Sequence, residues 1–193
     1  MSGNRHYALV DHLGARGPNR WGSNFPPSRR LKTVLFLTLC CRAMDNRLPK
    51  PILGDAMADE IVRKLDYDYG QLSLNKNLIL NVALRAKKLD EVASGFIRHH
   101  PDAVGLDLGA GLDTRMVRIA PPSTADWYDI DYPSVVAARA RLIPDRANAH
   151  SIGSDVTDAD WLNEVPTDRP AVIVADGLMG SSPKTSSCLW WTG

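Results

Sequence analysis

Apolar residues recur at helical spacing over 31–46, and Leu48-Pro49-Lys50-Pro51 then breaks the pattern. A second helix is predicted over 56–65, with Met57, Ile61, Val62 and Leu65 on one side. A long helical span follows over roughly 72–100, where Leu80, Val82, Leu84, Leu89, Val92 and Phe96 are the expected apolar contacts. Past His100 the rhythm changes. Short apolar runs at 103–108, 126–130, 148–152 and 171–175 read as strands. Helical segments fall between them, after Asp113, over 134–142 and near 160–163. Strand and helix in alternation predict an α/β fold, a parallel Rossmann-like sheet with helices on both faces. Residues 31–100 then form a helical cap, and 101–180 form the sheet domain.

The two ends lie outside this scheme. Residues 1–30 carry Gly3, Gly14, Gly17, Pro18, Gly22, Pro26 and Pro27 with no clean period, and are expected to be irregular or disordered. Residues 181–193 have neither period, and Trp190-Trp191 sit in an otherwise polar tail. A doubly wound domain ending after four strands would leave its last strand exposed.

Composition narrows the classes. With 44% hydrophobic and 23% charged residues, the 193-residue chain can bury a core. Its 23 Lys and Arg against 22 Asp and Glu give a net charge of +1, so no global field recruits nucleic acid or an anionic membrane. Three cysteines, Cys40, Cys41 and Cys188, make neither a disulfide framework nor a zinc spacing, and Cys40-Cys41 reads as a packed pair of thiols. Arg29-Arg30-Leu31-Lys32 ahead of Val34–Cys41 imitates a secretory leader, but starts too far from Met1 and is too short to span a bilayer. A buried amphipathic helix and a cytoplasmic setting are expected instead. His99-His100 beside Asp102 reads as a polar helix end rather than a metal site.

The candidate chemistry lies in Leu106-Asp107-Leu108-Gly109-Ala110-Gly111-Leu112-Asp113-Thr114-Arg115, with Asp131 twenty residues after Gly111. A strand running into a glycine turn and a helix lets a ligand approach bare backbone, and the turn itself calls for positive φ. An acidic residue closing the next strand is placed to accept hydrogen bonds from ribose hydroxyls, so a cofactor with an adenosine half is indicated. A dinucleotide fingerprint wants a third glycine where Thr114 stands, and no Gly-Lys-Ser/Thr follows for a P-loop. Asp113 and Arg115 also suit capping and pairing at the helix start, and Asp155 and Asp158 suit capping of the turn before Trp161. On spacing alone, Arg85 is a solvated helix residue.

Taken together, Leu108–Arg115 and Trp127-Tyr128-Asp129-Ile130-Asp131-Tyr132-Pro133-Ser134-Val135-Val136 resemble the first two motifs of one group of class I methyltransferases. The group is the leucine carboxyl methyltransferase and tetracenomycin O-methyltransferase-like family, which uses S-adenosyl-L-methionine (SAM). The likeness takes in Asp66-Tyr67-Asp68-Tyr69, Ala83-Leu84-Arg85-Ala86-Lys87, Gly153-Ser154-Asp155-Val156-Thr157-Asp158 and Val172-Ile173-Val174-Ala175-Asp176-Gly177-Leu178-Met179, covering roughly 31–180.

The resemblance implies a role for each matched position. Arg85 resembles the arginine that meets the methionine carboxylate, and Gly109 and Gly111 the pair lining the methionine side. Asp131 is similar to the ribose acceptor, and Asp155 to the carboxylate that takes the adenine amino group, with Val156 beside the ring. Asp176 stands where the family usually has a glutamate facing the cofactor amine. Lys32 and Thr33 match more weakly, near the methionine end. Methyl transfer is an in-line displacement at a sulfonium, governed by alignment and exclusion of water, so no catalytic triad is required. The implied acceptor is a carboxylate or hydroxyl of a small molecule.

The resemblance also implies a fifth strand and an antiparallel hairpin beyond Gly180. Trp190-Trp191-Thr192 is encoded TGG-TGG-ACN, and with freely chosen codons a shifted frame of the tail reads Phe-Leu-Thr-Glu-Asp-Glu-Phe-Val-Pro-Leu-Val-Asp-Arg. That is the helix the family places there, so a frameshift and a C-terminally truncated member are expected, with impaired stability, SAM affinity and turnover. Two further readings stay open: an inactive relic or nucleotide-binding module without turnover, and an NAD-linked oxidoreductase.

Overall fold

A computed structural model describes residues 29–65 and 74–176, with side chains from Val34 onward. Helix α1 (Arg29–Asn46) is buried at five consecutive positions, Leu39 to Ala43. Five in a row cannot share one face of a 3.6-residue helix, so α1 is enclosed on all sides near its C-terminal end rather than amphipathic as expected. Helix α2 (Ala56–Lys64) starts at Asp55, whose carboxylate caps the Ala58 N–H at 2.9 Å. These helices share a core of Leu39, Cys40, Ala43, Ala58, Ile61 and Val62, and Leu112 of the glycine turn inserts into it.

Helix α3 (Lys76–His99) is capped by Asn75, which accepts from the Leu78 N–H at 2.8 Å. Its buried face is Ile79, Val82, Ala83, Ala86, Ala93 and Ile97. The apolar set expected for this helix is therefore corrected at Leu80, Leu84 and Val92, all exposed. Three alanines on the inner side bring the helix close, and close approach selects the small-residue face over the bulkier one.

Four strands, β1 (Val104–Leu108), β2 (Asp126–Asp131), β3 (Ala149–Gly153) and β4 (Ala171–Val174), form an all-parallel sheet in the order β3-β2-β1-β4. Between them lie α4 (Arg115–Ile119), α5 (Pro133–Leu142) and a 3₁₀ turn (Ala159–Glu164). This is the α/β Rossmann-like arrangement expected, with each predicted strand displaced by no more than one or two residues. Register pairs Gly105 with Trp127 and Val172, and Asp107 with Asp129 and Val174. One face packs Trp127, Val172 and Val174 against Ala93, Ile97 and Met116. The other packs Val104, Leu106, Leu108, Tyr128, Ile130 and Ile152 with Trp161. Among the described residues β3 and β4 are the edges, and Ile173 on β4 is 62% exposed.

Candidate functional site

In a parallel sheet every strand points its carboxyl end the same way, so residues that follow the strands gather at one edge. Gly109 and Gly111 follow β1, Asp131 closes β2, Asp155 and Val156 follow β3, and Asp176 follows β4. Arg85 reaches this edge from α3 and pairs with Asp176, ninety-one positions away. Six of the seven singled-out positions thus come from strand ends and the seventh from α3. The side chains of Lys32 and Thr33, and the Asp66–Tyr69 run, lie outside the described residues.

The turn after β1 has the backbone its glycines allow: Gly109 at φ +66° and Gly111 at φ +53°. Its amides are anchored on β2. Gly109 N–H donates to the Ile130 carbonyl at 2.8 Å, and Gly111 N–H to Asp131 Oδ2 at 2.7 Å. The other carboxylate oxygen of Asp131 accepts the Tyr132 N–H at 2.7 Å. Burial pushes the Asp131 carboxyl up, while these two backbone donors favour its charge. Each oxygen keeps a lone pair for a further donor.

The carbonyls of the turn face two buried guanidiniums. Arg139 of α5 donates to the Gly111 and Asp113 carbonyls at 2.8 and 2.9 Å and pairs with Asp129 of β2. Arg42 of α1 donates to the Leu112 carbonyl at 2.7 Å. Leu35, also on α1, lies 2.7 Å from where a Cβ on Gly111 would stand, so α1 rests directly on the turn.

Behind the turn lies a cluster of buried charges. Arg115 contacts Asp90 at 3.0 Å, Asp107 at 3.1 Å, Asp113 at 3.4 Å and Asp176 at 3.8 Å. Arg118 pairs with Asp90 at 2.6 Å and Asp55 at 2.8 Å. It also approaches Asp113 Oδ1 at 2.8 Å, without the alignment of a hydrogen bond. Asp113 is desolvated, which alone would raise it, yet Arg42, Arg118 and Arg115 hold it well below the usual carboxylate range. Asp107 has the opposite balance. Burial pushes it up to about 8, and Asp113 and Asp129 oppose its charge. Pairing at the helix start is therefore what Asp113 and Arg115 do here. Asp55, Asp90, Asp107 and Arg118 escaped the sequence reading, and the only written signal was a pair of arginines three apart just past the glycines.

Asp155 is exposed and accepts from the Thr157 N–H at 2.9 Å and the Thr157 hydroxyl at 2.8 Å. Those bonds, the backbone one foremost, hold its carboxyl below the ordinary value. Asp158 rather than Asp155 caps the 3₁₀ turn, accepting the Asp160 N–H at 3.2 Å. Val156 is half-buried against the cluster around Trp161. Cys40 and Cys41 are packed thiols, pushed up by burial to about 12 and about 11.

A glycine turn of this geometry with an acid closing β2 is common to several cofactor classes. The sequence profile of leucine carboxyl methyltransferase matches residues 36–180. The chain belongs to that family. The tetracenomycin polyketide synthesis O-methyltransferase TcmP of Streptomyces glaucescens is 48% identical over 145 residues, covering 75% of this chain and 54% of that protein. The S-adenosyl-L-methionine-dependent methyltransferase dpfgK of Gibberella zeae is 29% identical over 160 residues, with 75% and 54% covered. This leucine carboxyl methyltransferase family chain thus spans about half the length of the curated relatives it matches. Among its described residues, no helix is long and apolar enough to cross a membrane.

Proposed function

We propose that this chain binds SAM at the carboxyl edge of its sheet and belongs to a protein that transfers the methyl group to a hydroxyl or carboxylate oxygen of a small molecule. The convergence of Arg85, Gly109, Gly111, Asp131, Asp155 and Asp176 from one helix and four strand ends carries the reading. Residues 31–100 act as the cap, 101–180 as the cofactor-binding part, with 1–30 and 181–193 outside both. The near-neutral net charge supports a small-molecule acceptor over nucleic acid, and a cytoplasmic setting agrees with the free thiols of Cys40 and Cys41 among the described residues.

The donor set suits that cofactor. SAM ends in an amino-acid zwitterion, and the site sets a cation, Arg85, beside an anion, Asp176. Asp131 has oxygens oriented by two backbone donors and lone pairs remaining for ribose hydroxyls. Asp155, held ionised, serves the adenine amino group, and Val156 gives the ring an apolar neighbour. When bound, SAM supplies an electrophilic methyl group. The chain's own part is to fix the glycine turn, neutralise the two ends of the zwitterion and limit water. The NAD alternative asks for close packing at a third glycine, whereas Thr114 is buried there with its hydroxyl on Asp55.

Isothermal titration of the chain with SAM and with NAD tests the cofactor class, and saturable binding of SAM alone is expected. Binding of NAD instead, or of neither, overturns the reading. A labelled-methyl assay with phenolic and carboxylic acceptors then separates an enzyme from an inactive relic.

A further inference from the structure

Leu112, Asp113 and Thr114, the residues of the glycine turn beyond Gly111, each meet the N-terminal helices, and their polar contacts there lead to one side chain. Asp55, fully buried, lies fifty-six positions before Gly111. Its carboxylate accepts the Thr114 hydroxyl at 2.7 Å, Arg42 Nε at 3.1 Å, Arg118 Nη1 at 2.8 Å and the Ala58 N–H at 2.9 Å. Through Arg42 it orients the guanidinium that holds the Leu112 carbonyl and stands 3.7 Å from Asp113. Through Thr114 it fixes the residue on which α4 begins.

Resting on the SAM reading above, we propose that Asp55 is the positioning residue of the cofactor turn. It lies outside the cofactor's reach, but it fixes Leu112 through Arg42 and Thr114 directly, beside the Arg139 contacts to Gly111 and Asp113, and so helps to set the direction in which Gly109–Gly111 faces the site. A turn held only by its own glycines would sample several backbone states, because glycine restricts φ least of all residues. A charge-assisted network built by two other elements removes that freedom in advance of binding. Leu112, inserted into the cap core, adds an apolar attachment to the same effect. Cap and turn therefore order as one unit, and whatever loosens Asp55 weakens cofactor binding from a distance.

The test compares Asp55→Asn, Thr114→Val and Thr114→Ser in the full chain. Asp55→Asn keeps the shape and one acceptor but brings an NH2 group against guanidiniums. Thr114→Val removes only the hydroxyl, and Thr114→Ser restores it. Two readouts are taken well below the unfolding midpoint: SAM affinity by titration, and hydrogen exchange of the amides of residues 109–114. Asp55→Asn and Thr114→Val are expected to weaken SAM binding about tenfold or more and to speed exchange in the turn, while Thr114→Ser behaves like the parent. A merely structural role lowers the unfolding midpoint but leaves affinity and turn exchange of the folded molecule unchanged, and that result overturns the proposal. Should Asp55→Asn not fold, Thr114→Val with its serine rescue decides alone. If the parent chain fails to bind SAM, the cofactor reading falls, while the exchange comparison, which needs no ligand, still decides whether Asp55 fixes the turn.

Discussion

The indole ring of Trp127 occupies the space where a Cβ on Gly105 would stand: the ideal position lies 2.1 Å from Cε3 and 2.4 Å from Cζ3. The two residues are register partners on β1 and β2, and Trp127 is fully buried, so neither can withdraw. Glycine is therefore required at 105 by its neighbour rather than by its own backbone. Gly105→Ala is expected to cost about 2 kcal/mol or more, in the range of overpacked cores, read as a lower midpoint in urea unfolding. Parent-like stability would mean that β1 and β2 are not held in this register.

Arg85 separates stability from binding. Its side chain is about half exposed, so the pair with Asp176 contributes little to folding once solvent screening is counted. Arg85→Ala should shift unfolding free energy by no more than about 0.5 kcal/mol and yet weaken SAM binding about tenfold. Unchanged SAM affinity would return Arg85 to the role of a solvated surface residue.

Asp107 gives a pH signature with a definite sign. In the folded chain burial pushes its carboxyl up to about 8, whereas in the unfolded chain it titrates near its ordinary value. Between about pH 4 and 8 the unfolded state therefore binds fewer protons than the folded state at this group, and stability falls as pH rises through the window. Asp107→Asn, neutral in both states, should give a shallower decline from pH 5 to 8 in denaturant titrations. An unaltered slope would show that Asp107 is already ionised beside Arg115.

Cys40 and Cys41 are enclosed and their thiolates strongly disfavoured. Alkylation followed by mass spectrometry at neutral pH should leave both unmodified in the native chain and label both in denaturant. Rapid native labelling of either would place α1 outside the core.

The strands were legible in the residues alone, because short apolar runs bounded by turn residues depend on neighbours a few positions away. So were the glycine turn and Asp131, since positive φ and an acid closing the next strand are local requirements. The tertiary structure decided what depends on approach between distant segments. It selected the alanine side of α3 for burial and left Leu80, Leu84 and Val92 outside. It joined Arg85 to Asp176, and it gathered Arg42, Asp55, Asp90 and Arg118 behind the turn. Apart from the two arginines three apart past the glycines, the spacing of those residues does not announce the contacts, because an ion pair needs geometry from both partners, and only the packed chain supplies it.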